Sequence, residues 1–326
     1  MDKNYGSPGP AFEEHPVNPS TSARDTLTIQ LFGSITVHRN GTVLGAGQLG
    51  GTKPRQILAI LAVYLGTPVS KHRLIELLWA DHPPAEAVST LESYVCVLRR
   101  HLQPGAGKAG PLQTTTGGYL LDRRLVRVDR DRFGSLLSEA HRATPENALR
   151  HLDDALDLAA APLLEDELTL PWATDERDRH ASVVTATQVR ASETAAALGL
   201  TEQSIALARA ALKDDPLNEG AWTTLVLGLE RAGRPTEGLQ RYERYRRLLG
   251  QELGCCPSPV LRDAHARLLR ATEDDEGELA NVVAALVFLH DGPRGTQNSP
   301  LSVRESLTTA GGIVDAFLRR ALASMC

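Results

Sequence analysis

The side chains with the clearest chemical use lie between Lys53 and Thr116. Residues 85–102 read AEAVSTLESYVCVLRRHL. At about 100° per residue, Leu91, Val95, Leu98 and Leu102 fall in one arc, which must be the buried side. The opposite face centres on Ser93, with Ser89, Thr90, Val97 and Arg100 around it. Tyr94 and His101 form one margin and Arg99 the other, and the face's only expected acid, Glu86, falls in the first turn. Small hydroxyl side chains permit close approach to base edges, a valine methyl can meet that of thymine, and an arginine pair can grip phosphates. The same helix also reads as a solvent-facing one whose Arg99 and Arg100 offset its own C-terminal dipole. Lys53 and Lys71 stand at the starts of helical patterns, where phosphates sit well. Thr115 and Thr116 precede Gly117 and Gly118, in a turn whose hydroxyl and N–H groups suit phosphate or the minor groove.

Other chemistries find little support. Gly45, Gly47 and Gly50 match G-x-G-x-x-G, but no acid follows about twenty residues on and the next element is a helix. The order of a P-loop is missing, as are H-E-x-x-H, G-x-S-x-G and a coherent Cys/His ligand set. Cys96, Cys255, Cys256 and Cys326 form no CxxC pair and no disulfide framework. No catalytic residue, metal or cofactor is expected, and the chain does not read as an enzyme.

The elements that must position these residues follow from periodicity. Leu27, Ile29 and Leu31 alternate with polar residues, Ile35 and Val37 continue the pattern, and Asn40-Gly41 is a hairpin signal before Val43 and Leu44. Three helical patterns come next: one after Pro54 through Ile57, Leu58, Leu61 and Leu65, one from Lys71 to Trp79 behind a Ser70 N-cap, and one from about Ala85 to Leu102. A Gly-rich loop then leads to a hairpin, residues 112–116 and 119–121 around Gly117-Gly118. Sheet, three helices and hairpin is winged-helix order, in which the second helix of the pair enters the major groove. Beyond Val126 every segment reads as helix. Gly199 and Gly233 head similar helices thirty-four residues apart, the period of tetratricopeptide helix pairs, although an ordinary bundle with a chance Gly match gives the same signal.

The chain has 326 residues and a formal charge of −5, with no apolar run long enough to span a membrane. Residues 24–124 hold eleven Lys/Arg against six Asp/Glu, whereas residues 125–270 hold nineteen against twenty-three. That asymmetry points to an anionic partner for the first segment. The organisation expected is a disordered leader over 1–24, an α+β winged-helix domain over 25–125, an all-α tetratricopeptide-like domain over 126–271, and a helical extension of open role over 272–326. A cytoplasmic location is the default for such a chain, with no secretory leader and no framework of cysteines.

On these residues the sequence resembles the Streptomyces antibiotic regulatory protein family. The winged-helix part, with KPRQILAIL (53–61), RLIELLW (73–79), TLESYVCVLRR (90–100) and TTGGY (115–119), is similar to the OmpR/PhoB type. The helical part resembles a bacterial transcriptional activation domain through DDPL (214–217), Trp222, RAGR (231–234), YRRLLGQELG (245–254) and Pro257-Ser258-Pro259. The resemblance covers about residues 27–270; it departs at Ala80, where the family usually has Gly, and at Cys256, where it usually has Glu. It implies an activator of secondary-metabolite promoters that binds tandem direct repeats of double-stranded DNA as a pair of subunits. It also implies recruitment of RNA polymerase holoenzyme, including its sigma factor, at the nucleoid and not at a membrane. The base-edge residues expected are Thr90, Ser93, Tyr94 and Val97, with Ser89 beside them in the DNA-binding set; those for phosphate are Lys53, Lys71, Arg99, Arg100, Thr115 and Thr116. A helical-repeat interaction protein without specific DNA binding is the alternative.

Overall fold

The computed structural model describes residues 26–106, 110–167 and 170–272, with Leu286 and Gly312 besides. The leader over 1–24 and the tail helices expected near 279–289 and 313–323 lie outside the described residues. The chain divides into two compact units, His141 and Asp154–Ser182 closing the first, Arg142–Asp153 and Val183 onward forming the second.

The first unit opens with β1 (Leu27–Gln30), β2 (Thr36–Arg39) and β3 (Thr42–Leu44). Leu27 and Ile29 are buried while Thr28 and Gln30 face outward, as the period of two demands. Asn40 and Gly41 both take positive φ, 48° and 79°, the geometry of a two-residue hairpin turn whose twist matches its strands. Gly45 to Gly50 form no nucleotide loop: a 3-10 turn (Ala46–Leu49) leads into α1 (Thr52–Val63), which is buried along most of its length.

β4 (Val69–Ser70) precedes α2 (Lys71–Trp79), and the Ser70 hydroxyl accepts from Arg73 N at 3.1 Å, capping that helix. α3 (Ala87–Leu102) turns Leu91, Val95, Leu98 and Leu102 inward. β5 (Leu112–Thr115) and β6 (Gly118–Leu121) form a hairpin, and β4 joins them in the order β4-β6-β5. That third strand exists because Val69 pairs with Tyr119 and Ser70 with Gly118, where a Cβ would collide with the Val69 carbonyl.

One expectation requires correction. Residues 126–128 are not the start of an all-helical region but β7 (Val126–Val128), which pairs in parallel with β1, Leu27 opposite Val126. Three residues alternating buried, exposed and buried are too short to show a period in sequence, and the partner strand lies far upstream. The unit continues past residue 125. Asp129 accepts from Leu31 N and Phe32 N at 2.9–3.0 Å, and burial pushes its carboxyl upward against those hydrogen bonds. Glu167 accepts from Arg55 Nε at 2.9 Å and Gln56 Nε2 at 2.8 Å.

The helices are α4 (Asp129–Arg142), α5 (Pro145–Leu158), α6 (Pro171–Ala197), α7 (Thr201–Asp214), α8 (Glu219–Arg231), α9 (Pro235–Glu252) and α10 (259–272). Gly199 and Gly233, at φ 77° and 65°, occupy equivalent places before α7 and α9. Only glycine takes this conformation without strain, which is why the repeat is legible there. The partner helices α8 and α10 start forty residues apart rather than thirty-four, because α9 is four residues longer than α7 and the link after it two residues longer. Trp222 and Tyr245 stack at 5.2 Å inside a core shared with Leu225, Leu249 and Leu268. The Trp222 indole N–H donates to Pro216 O at 2.8 Å, tying the DDPL turn to that core.

Candidate nucleic-acid interface

Helix α3 owes its position to three anchors. Its apolar arc packs inward, Val97 lies against Gly50, and Arg99 bridges to the hairpin. Gly50 adopts φ 87°, and a Cβ there would collide with Val97 Cγ1. Val97 is therefore half-buried against the 3-10 turn and does not stand on the outer stripe.

The outer stripe is narrower than the helical projection suggests. Ser89, Ser93, Cys96 and Arg100 are exposed in sequence along it, with Val88 and Glu92 beside them. Ser89 Oγ donates to Glu86 O at 3.1 Å and Ser93 Oγ to Ser89 O at 2.9 Å. Both hydroxyls keep acceptor lone pairs for a ligand. Thr90 and Tyr94 are half-buried, and Tyr94 stacks on Trp79 with ring centroids 6.5 Å apart. Arg100 is exposed and has no ion-pair partner among the described residues.

Four of the expected phosphate ligands are placed otherwise. Lys53 Nζ donates to Leu78 O at 2.6 Å, at the negative end of α2, and lies 5.6 Å from the Trp79 ring. Burial holds its ammonium below the usual lysine range, with Glu167 opposing that shift. Lys71 Nζ pairs with Glu92 at 2.5 Å, a hydrogen bond that pushes its proton affinity up. Glu92 is half exposed, so the face carries a second acid, and the expectation of Glu86 as its only one is corrected. Arg99 donates to Leu112 O at 3.2 Å and Thr114 Oγ1 at 2.6 Å. Thr115 Oγ1 is buried without a partner, while Thr116 and Gly117 are exposed at the hairpin tip.

These contacts do mechanical work. Lys71 and Arg99 lie 6.0 and 5.8 Å from the Tyr119 ring, so two cations embrace one buried aromatic at the hairpin base. Burial pushes the Tyr119 hydroxyl up, and Lys71 opposes it. Lys71 N donates to Gly117 O at 2.9 Å. The hairpin, α2 and α3 thus share one bonded seam, which presents the α3 stripe and the tip Thr116-Gly117 together. Sequence reasoning passed over Cys96 and Glu92 as outward residues, and over the roles of Thr114 and Tyr119 as partners of Arg99 and Lys71. The first two were legible as outward positions seven and three residues after Ser89, but the others act only through contacts across the fold.

Among the described residues no group of His, Cys, Asp or Glu could hold a metal, and no helix is long and apolar enough to cross a membrane.

Residues 49–121 match the family described as transcriptional regulatory protein, C terminal, and residues 128–269 match the bacterial transcriptional activator domain. The chain is 32% identical over 265 residues to the regulatory protein DnrI of Streptomyces peucetius, covering 75% of this chain and 93% of that one. It is 30% identical over 276 residues to the transcriptional regulatory protein EmbR of Mycobacterium tuberculosis, covering 82% and 69% respectively. A solved structure of M. tuberculosis EmbR with a low-affinity phosphopeptide superposes with a TM-score of 0.66 at 28% identity, over 80% of this chain and 70% of that one.

Proposed function

Since the chain belongs to the Streptomyces antibiotic regulatory protein family, whose members regulate transcription through an OmpR/PhoB-type domain and a bacterial transcriptional activator domain, we propose that it activates a secondary-metabolite gene cluster by binding direct repeats in its promoters. The observation that carries this reading is the exposed stripe Ser89, Ser93, Cys96 and Arg100 of α3 beside the hairpin tip. Small side chains let the helix enter a major groove, and the uncommitted Arg100 meets the phosphate wall at its end. Ser89 and Ser93 read base edges, flanked by Thr90 and Tyr94, while Arg100 and Thr116 grip phosphates. Lys53 and Arg99 hold the reading helix and the hairpin in place. Lys71 reaches phosphate once DNA competes for it with Glu92. Val97 supports the helix from behind instead of touching thymine. A pair of subunits on adjacent repeats then recruits RNA polymerase holoenzyme, sigma factor included, through the helical domain.

A mobility-shift series against salt on promoters neighbouring its own gene tests this. Retardation of such DNA well beyond random DNA, weakening steeply with salt, is expected. Equal retardation of both removes specific activation and leaves the helical-repeat interaction protein.

A further inference from the structure

The second unit carries a groove of about 730 Å³ between α7, α8 and α9. Its apolar lining is Leu212, Trp222, Leu225 and Leu248. Its walls are cationic: Arg209, Lys213, Arg241, Arg244 and Arg247. No carboxylate lines it, although residues 125–270 carry more acids than bases. Gathering five like charges around an apolar lining is costly without a counter-charge. Glu237 engages Arg209 at 2.6 Å and Arg241 at 3.3 Å from one end of the groove. Lys213, Arg244 and Arg247 have no carboxylate partner among the described residues, and all three are exposed. The Arg209 Nε is buried without a hydrogen-bond partner, one donor left over after the Glu237 contact.

We infer that this groove binds an acidic peptide segment of a partner protein, one whose carboxylates alternate with aliphatic anchors. The cations supply the charge complement, and the apolar lining fits side chains that a phosphate backbone does not possess. The groove size is that of sites which enclose a small ligand or a few side chains of a peptide.

The test uses the full chain and a labelled, end-blocked synthetic peptide in which Glu-Asp pairs alternate with Leu. Its binding is followed by fluorescence anisotropy. The wild-type chain is expected to bind it with salt-sensitive affinity. Arg244→Glu with Arg247→Glu is expected to weaken binding by about tenfold or more, as is usual when central charged contacts are reversed. Lys213→Glu alone should weaken it less, and far-ultraviolet circular dichroism should be unchanged in both. A peptide with Ser in place of Leu should bind more weakly than the parent.

Equal binding to the wild-type chain and the double variant overturns the proposal. So does displacement of the peptide by random duplex DNA through the same two arginines, which makes the groove a nucleic-acid surface. The chain's own acidic run, residues 273–278, lies outside the described residues and is the remaining rival. If converting its five acids to amides tightens peptide binding about tenfold, the groove is filled in cis and a partner in trans is ruled out.

Discussion

In the winged-helix unit Lys53 is spent on the Leu78 carbonyl, Lys71 on Glu92 and Arg99 on the hairpin, leaving Arg100 as the uncommitted arginine of α3. In residues 125–270, where acids outnumber bases, Lys213, Arg244 and Arg247 line an apolar groove with no carboxylate partner among the described residues. The basic segment therefore offers fewer ready cations on the outward face of α3 than its charge promises, and the acidic one offers more in its groove. Net charge reports composition, whereas binding depends on which charges are already neutralised by the fold.

The sharpest way to separate the units is a glycine exchange in each. Gly118→Ala drives a methyl into the Val69 carbonyl, which cannot yield without breaking β4 from β6. A loss of about 3 kcal/mol or more is expected, with loss of DNA binding. Gly238→Ala meets only the flexible Leu268 side chain at 2.9 Å, so a cost of about 1 kcal/mol is expected. Denaturant titration checks both; equal losses would mean that the two sites are equally adaptable.

Proton linkage should differ next. His180 is packed between Phe32 and Phe133 at 5.0 and 4.8 Å, and burial, then Arg130, lowers its pKa to about 4. The unfolded chain takes up that proton near pH 6.5, so stability is complete above that value and falls as the pH drops toward 4. The contribution is of order 2 kcal/mol, and His180→Phe should flatten the slope. In the helical unit burial pushes the Tyr245 hydroxyl up to about 12. There the stability is present below pH 10 and declines as the pH rises toward 12. Acid unfolding should thus begin in the first unit and alkaline unfolding in the second, followed by the fluorescence of Trp79 and Trp222. Coincident loss at both extremes would contradict the assignment.

Within the first unit, Arg100→Ala should weaken promoter binding by about tenfold and lower the salt slope by about one. Lys53→Ala should leave that slope unchanged and cost about 1 kcal/mol of stability instead. A salt slope altered by Lys53 and not by Arg100 would reverse their roles.

The smallest effect concerns Ala80. It ends α2 with φ 47° and ψ −119°, a conformation glycine adopts freely and alanine does not. Ala80→Gly should raise thermal stability by about 1 kcal/mol despite the added freedom of the unfolded chain. The glycine usual at this position in the family has its physical reason in that dihedral pair.

Much of this was legible locally. Asn40-Gly41 specified its turn, the apolar arc of α3 specified its buried side, and Ser70 specified the start of α2. The helices of the second half follow their apolar stripes closely, because each signal recurs over several turns. β7 was hidden, since three residues carry no period and their parallel partner is β1. Glu92 was legible as outward from its spacing to Ser89, but its ion pair with Lys71, twenty-one residues upstream, was not.

The sequence by itself determined which segments become helix or strand and which residues each must bury, since those follow from side-chain spacing along one element. Tertiary structure decided which partners the cations and hydroxyls of α3 and the hairpin take. Whether Arg99 meets a phosphate or Thr114, and whether Val97 meets a base or Gly50, depends on neighbours brought together from elsewhere in the chain. Periodicity gives a side chain's direction; only the packed fold supplies what lies there.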